Sequence, residues 1–353
     1  MATGTLINLL APPGGDLPQH TGARIYATPG GGRLYMGIVA SEGHLNAWLA
    51  NSDMEVWKTT RAAATRRAHI YGCGDYAAFK EVCASLVLAR LGILQIAMPD
   101  NDHTMMLLAG EADTTAVTMQ MRPLAERLGI DIAIIGIRPA PSLSVPGCLF
   151  MDMDSTLIRC ECIDELADFL GIRREISAIT LRAMEGELDF AASLTKRVAL
   201  LAGLDASVLD RVYEERIRLT RGAERLISTL HGHGWKVGLV SGGFRHFTDR
   251  LMKRLHLDFS LSNTLEIRNG KLTGAVLGSI VDASAKRAAL IGQAESWGIP
   301  MEQTVAIGDG ANDLPMLAAA GFGIAFHAKP KVRELAPYSF THGGLERILD
   351  LLA

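Results

Sequence analysis

The chain has 353 residues, of which 48% are hydrophobic and 21% charged, a balance ordinary for a globular protein with room for more than one domain. A net charge of −3 gives nucleic acid or an anionic membrane surface no electrostatic hold, and no apolar run approaches the ~20 residues of a membrane span. Five cysteines (Cys73, Cys83, Cys148, Cys160 and Cys162), odd in number and irregularly spaced, point to free thiols in a reducing compartment. Cys160-x-Cys162 is too short for a zinc knuckle, and no second Cys/His pair follows it. The first ten residues carry no basic stretch of the kind that opens a secretory leader, so the cytoplasm is the expected setting.

In chain order, Ile25–Ala27 and Leu34–Ala40 read as strands paired across Thr28-Pro29-Gly30-Gly31-Gly32. That glycine run precedes a strand rather than opening a helix, so a hairpin turn fits it better than a phosphate loop. Arg61, Arg66 and Arg67 read as a solvated helix face. Residues 66–138 follow as strand, helix, strand, strand, helix, strand: Ala68–Gly72, Asp75–Leu91, Ile93–Met98, Thr104–Ala109, Thr114–Leu128 and Ile130–Ile137. Each helix ends at a glycine, Gly92 or Gly129, and Met105, Met106, Met119 and Met121 read as core filler. This βαββαβ order is ferredoxin-like and, in element order alone, resembles the ACT-type modules that sense amino acids. No catalytic constellation is visible in this half, and a regulatory or dimer-forming role, through a homodimer, is the expectation.

Three prolines between Arg138 and Gly147 predict an extended linker. The expected domains are 1–138, a linker at 139–146, and 147–353. After the linker, apolar runs at Cys148–Met151, Val237–Val240, Val305–Ile307 and Gly323–Phe326 alternate with helical stretches, which predicts a doubly wound α/β parallel sheet. The segment 159–221 is rich in helix formers and reads as a helical cap. His231 and His233, flanking Gly232 near a helix end, are expected to face solvent.

In such sheets the chemistry collects at the carboxyl ends of the strands. Asp152-Met153-Asp154-Ser155-Thr156 follows the first run, Ser241-Gly242-Gly243 the second, and Gly308-Asp309-Gly310-Ala311-Asn312-Asp313 the third, with Lys286 between the last two. Carboxylates as close as Asp152 and Asp154 repel unless a cation or a proton is shared. Asp-x-Asp or Gly-Asp-Gly alone is equally a turn, and Lys286 alone a solvated helix lysine; the four together in this order are specific.

Together they resemble the haloacid dehalogenase (HAD) superfamily of phosphotransferases over about residues 147–330, and within it the phosphoserine phosphatase family. Glu161 with Ile163-Asp164-Glu165, and Met184-Glu185-Gly186 with Phe190 and Arg197, are similar to the cap segments of that family. The resemblance implies hydrolysis of O-phospho-L-serine to L-serine and phosphate, the last step of serine biosynthesis. Asp152 would be the nucleophile that forms an aspartyl-phosphate. Asp154 would protonate the departing oxygen and then activate water. Mg²⁺ would be held by Asp152, Asp309 and the main-chain carbonyl at Asp154, with Asp313 beside the metal, binding through water or orienting Lys286. Ser241, Gly242, Gly243, Lys286 and Asn312 would surround the phosphoryl group. Glu161 would take the substrate ammonium, Arg197 its carboxylate, and Phe190 would cover the side chain. The alternatives are a phosphatase or phosphotransferase of the same fold acting on another small phosphorylated metabolite, and a regulatory amino-acid-binding protein with a vestigial phosphatase half.

Overall fold

The computed structural model describes residues 5–14, 24–40, 55–58, 64–100, 102–137, 141–184 and 189–352. The chain divides into two compact units, Met1–Pro139 and Ala140–Ala353.

The first unit holds two antiparallel four-stranded sheets. One contains β1 (Thr5–Ala11), β2 (Arg24–Ala27), β3 (Arg33–Ala40) and β4 (Glu55–Lys58). Tyr26 opposes Leu34 across the Thr28–Gly32 turn, so the glycine run closes a hairpin. The other contains β5 (Arg66–Tyr71), β6 (Gly92–Asp100), β7 (His103–Ala109) and β8 (Asp131–Gly136), with α1 (Tyr76–Leu88) and α2 (Thr114–Leu128) between strands. The strand orders are β2-β3-β1-β4 and β6-β7-β5-β8, the same permutation twice.

Asp75 and Asp113 start the two helices by accepting from the amides of Ala78 (2.8 Å) and Ala116 (2.9 Å). Gly129 ends α2 with φ 65°. Helix α1 stops before the expected Leu91: Arg90 turns left-handed (φ 61°), which buries Leu91 and leaves Gly92 to open β6. Arg66 and Arg67 lie on β5 rather than on a helix, and the Arg66 guanidinium donates to the Ala112 carbonyl at 3.2 and 3.1 Å. Arg61 and Glu185-Gly186 lie outside the described residues. Phe79, Val82 and Leu86 of α1 and Val117 and Met121 of α2 pack on Ile70, Met106, Leu108 and Ile134 of the sheet. Met119, expected in this core, is exposed. Alternating with Ala68 and Ile70 along β5, His69 is buried with its Nδ1 3.1 Å from Nε2 of buried His103.

The second unit is built on a seven-stranded sheet. Its strands are β9 (Cys148–Met151), β10 (Lys236–Phe244), β11 (Phe259–Arg268), β12 (Lys271–Leu277), β13 (Thr304–Gly308), β14 (Phe322–Phe326) and β15 (Tyr338–Phe340). The order is β12-β11-β10-β9-β13-β14-β15, parallel except for the β11–β12 hairpin. Fully buried β9 sits between β10 and β13, so the three strand ends that carry the motifs are adjacent.

Between β9 and β10 the insertion forms α3 (Cys162–Leu170), α4 (Arg173–Met184), α5 (Phe190–Ala199) and α6 (Ser207–Glu215). It leaves and rejoins the core side by side: Ile158 opposes Leu219, and Arg159 N donates to Arg218 O at 3.0 Å. The β11–β12 hairpin, not foreseen from the sequence, bonds to the insertion through Gly203 N to Leu272 O (2.8 Å) and Leu272 N to Leu204 O (2.9 Å).

The proline-rich segment does not hang as an extended connection after Pro141. The Trp235 indole donates to Val145 O (3.0 Å), and Leu143 N to Leu352 O (3.0 Å). Nor is His231 a solvent residue, because its Nε2 lies 3.2 Å from Asp258 Oδ2. No described helix is long and apolar enough to cross a membrane.

Candidate active site

Asp152 follows the last residue of β9, and its amide donates to Ile307 O on β13 at 2.9 Å, which ties the first motif to the third. The chain then makes a wide turn, Met153–Leu157, closed by Leu157 N to Asp152 O (3.3 Å) and Ile158 N to Met153 O (3.0 Å). The Met153 amide donates back to Asp152 Oδ1 at 2.7 Å. One carboxylate oxygen is thereby fixed. The other, Oδ2, lies 2.9 Å from Lys286 Nζ.

Lys286 comes from α9 (Ala283–Ser296), following α7 (Ala223–Gly232) and α8 (Arg245–Leu255). It is fully buried, and its ammonium also reaches Asp313 Oδ1 at 2.7 Å. Asp313 closes the short turn after β13 by accepting from Gly310 N at 3.0 Å. Carboxylate oxygens of Asp152, Asp309 and Asp313 lie within 4.8 Å of one another. Burial first, then the Asp313 charge, pushes Asp152 up to about 7, against the pull of Lys286. Burial, then Asp152 and Asp313, pushes Asp309 up to about 8. Burial opposes the charge on Lys286, yet the two aspartates outweigh it and hold its pKa above the ordinary lysine value. Three carboxyl groups crowd around one ammonium, and hard oxygen donors at this spacing fit a divalent metal ion.

Asp154 is half-buried, and its Oδ1 accepts from the Cys162 amide at 3.1 Å. Burial, then the charges of Glu161 and Asp152, raises its pKa well above the ordinary carboxylate value. Environment sets these two neighbouring carboxyl groups apart, one hydrogen-bonded beside a lysine and one accepting from the Cys162 amide.

Ser241 is buried on β10, and its Oγ accepts from Gly243 N at 2.8 Å. The Gly243 amide is therefore engaged within the loop, while Gly242 faces the insertion: a Cβ there would stand 2.6 Å from Phe190 Cζ. Only glycine admits that approach. Phe190 and Arg197 both lie on α5. Burial lowers the pKa of Arg197, with the carboxylates of Glu161, Asp164 and Asp154 acting the other way. These charges place Arg197, Glu161 and Asp154 in one electrostatic neighbourhood. Asn312 lies in the Ala311–Asp313 turn, partly buried and close to Gly310.

Three residues in contact with the site went unread in the sequence. Thr156 Oγ1 donates to Asp309 Oδ1 at 3.2 Å, linking the first motif to the third. The Cys162 amide holds Asp154 as above. Ser155 Oγ donates to Glu161 Oε1 at 2.7 Å. Hydroxyls inside a known motif carry no periodicity of their own, and their partners lie on a turn whose shape is visible only in three dimensions.

Residues 149–318 match the family model of haloacid dehalogenase-like hydrolases. A phosphoserine phosphatase of Albidiferax ferrireducens is 47% identical over 236 residues, which cover 65% of this chain and 99% of that protein. A HAD family hydrolase of Salmonella enterica serovar Typhi superposes with a TM-score of 0.73 at 35% identity, covering 81% of this chain and 98% of that one. A phosphoserine phosphatase solved as a phospho-aspartyl intermediate analogue gives a TM-score of 0.56 at 41% identity, over 59% of this chain and 100% of that one. With these motifs on adjacent strand ends and a relative aligned almost end to end, the chain belongs to the phosphoserine phosphatase family of haloacid dehalogenase-like hydrolases.

Proposed function

We propose that the protein is a cytoplasmic phosphoserine phosphatase, converting O-phospho-L-serine to L-serine and phosphate as the last step of serine biosynthesis. The observation that carries this reading is the Asp152 carboxylate at the end of β9, held at 2.7 Å by the Met153 amide and at 2.9 Å by buried Lys286.

Asp152 attacks phosphorus in line and becomes the aspartyl-phosphate. Asp154, whose pKa burial and the neighbouring carboxylates raise, gives a proton to the departing serine oxygen, then takes one from the water that cleaves the acyl-phosphate. Lys286, the Ser241 hydroxyl, the Gly242 amide and Asn312 surround the phosphoryl oxygens; the Gly243 amide joins them only by giving up Ser241. Asp152, Asp309, the Asp154 carbonyl and, through water, Asp313 would hold Mg²⁺, which neutralises charge on the phosphoryl oxygens when bound. Glu161 receives the substrate ammonium, Arg197 its carboxylate, and Phe190 excludes water. For the N-terminal unit the reading is an amino-acid-sensing or dimer-forming role, checked by sedimentation of the full chain with and without L-serine.

The test is phosphate release from O-phospho-L-serine with and without Mg²⁺, beside O-phosphothreonine and sugar phosphates. Mg²⁺-dependent turnover that strongly favours phosphoserine is expected. Turnover of sugar phosphates in preference would keep the chemistry and remove the roles of Glu161 and Arg197. No turnover of any of them would remove the catalytic reading.

A further inference from the structure

Ser155 stands at the one strained point of the catalytic turn. Its φ is 55° and its ψ 3°, the left-handed region, while Asp154 before it is extended (φ −65°, ψ 135°). For a residue with a Cβ this conformation is unfavourable, and glycine or asparagine is the usual occupant. A strained residue persists where its surroundings hold it, and such residues gather at functional sites. Here the Ser155 amide donates to the Cys160 carbonyl at 3.2 Å. The side chain, directed by that backbone, donates to Glu161 Oε1 at 2.7 Å. Glu161 occupies the cap position before α3, yet its side chain makes no capping bond to the helix. Its carboxylate is instead turned back toward the catalytic turn, close enough for its charge to raise the pKa of Asp154.

We propose that Ser155 is a positioning residue for substrate choice. Its hydroxyl fixes one oxygen of Glu161, so that the other presents itself to a primary ammonium group on the substrate. The inference rests on the reading of Glu161 as the ammonium acceptor. A glutamate free to rotate would meet the ammonium only after losing rotamer freedom, and a hydrogen bond made in advance removes that loss. The hydroxyl donates and the carboxylate accepts, so the second oxygen of Glu161 keeps its lone pairs for the ligand. The strain at Ser155 is thereby explained: glycine would relax the turn and release Glu161.

The experiment compares Ser155→Gly and Ser155→Ala in the full-length Mg²⁺-loaded enzyme. The probes are O-phospho-L-serine as substrate and 3-phosphoglycerate as competitor, which has the same carboxylate and phosphate but a hydroxyl in place of the ammonium. Both variants should raise KM for phosphoserine about tenfold, leave kcat within about twofold, and leave the Ki of 3-phosphoglycerate unchanged. In a Glu161→Gln background, Ser155→Gly should add nothing further. Ser155→Gly suits the left-handed turn better than serine does, so loss of fold does not confuse the result. A wild-type KM in Ser155→Gly, with KM raised in Glu161→Gln, would overturn the role of Ser155 alone. An equal weakening of 3-phosphoglycerate would make Ser155 a turn residue with no part in recognition. A wild-type KM in Glu161→Gln would overturn the reading of Glu161 itself.

Discussion

The Lys286 ammonium lies 2.9 Å from Asp152 Oδ2 and is wholly shut away from solvent. Lys286 pulls the pKa of Asp152 down against the burial that raises it, and in the proposed mechanism the same cation meets the phosphoryl oxygens. Lys286→Met strands Asp152 and Asp313 without that charge. Urea unfolding at pH 8 should show a loss of about 3 kcal/mol, the scale for an orphaned buried partner. Lys286→Arg should not restore activity, because a planar guanidinium has no room at a fully buried point contact.

Asp309 sets the response to pH and metal. Its carboxyl is raised to about 8, so between about 4 and 8 the folded metal-free chain holds a proton that the unfolded chain has released. Stability of the metal-free protein therefore falls as pH rises through that window. Asp309→Asn should be the more stable protein at pH 8 in chelator, by about 1–2 kcal/mol. Adding Mg²⁺ should reverse the ranking, raising the Tm of wild type and leaving Asp309→Asn nearly unmoved. Calorimetric scans of both proteins in chelator and in excess Mg²⁺ decide it.

Phe190 and Gly242 meet across the boundary between insertion and core. Gly242→Ala places a methyl carbon 2.6 Å from Phe190 Cζ, so the Phe190 ring, or the helix that carries it with Arg197, has to shift. A displacement of that order should cut kcat/KM for phosphoserine by up to about 10²-fold. Phe190→Leu in the same background should recover part of the loss. Steady-state kinetics on the two single variants and the double variant give the coupling.

In the N-terminal unit, burial first, then His103 and Arg67, depresses His69 to about 3. The unfolded chain takes up this proton near 6.5 and the folded chain does not until about 3. Stability from this group is thus intact above the unfolded value and is lost as pH falls from there, at up to about 1.4 kcal/mol per pH unit. Hydrogen exchange of β5 amides at pH 7.5 and 5.5 should show the loss in wild type and a smaller one in His69→Gln.

The second unit was legible because three of the four motifs sit on consecutive residues at the end of a buried strand, Lys286 alone being carried by a helix. A short apolar run, a turn and a carboxylate are all local signals, and the alternation with helices orders them in space. The β1–β4 sheet was only half legible for the opposite reason. Its hairpin β2–β3 shows in the turn chemistry, but β1 pairs with β3 and β4 across long separations, and β4 spans only Glu55–Lys58. Arg66 looked like a surface charge because the Ala112 carbonyl that receives it is 46 residues away. Ser155 and Thr156 were recognised as motif letters, while their partners Glu161 and Asp309 depend on the shape of one turn.

The insertion departs from the sheet at Ile158–Arg159 and returns at Arg218–Thr220, and these two crossings are zipped together, with Thr220 Oγ1 donating to Thr156 O at 2.6 Å. The helical insertion is thus closed on itself where it leaves and rejoins the core, and the β11–β12 hairpin braces it at a second place through Gly203, Leu204 and Leu272. Because both crossings lie side by side, the insertion is a self-contained block of sequence: its described residues supply none of the strands of the seven-stranded sheet.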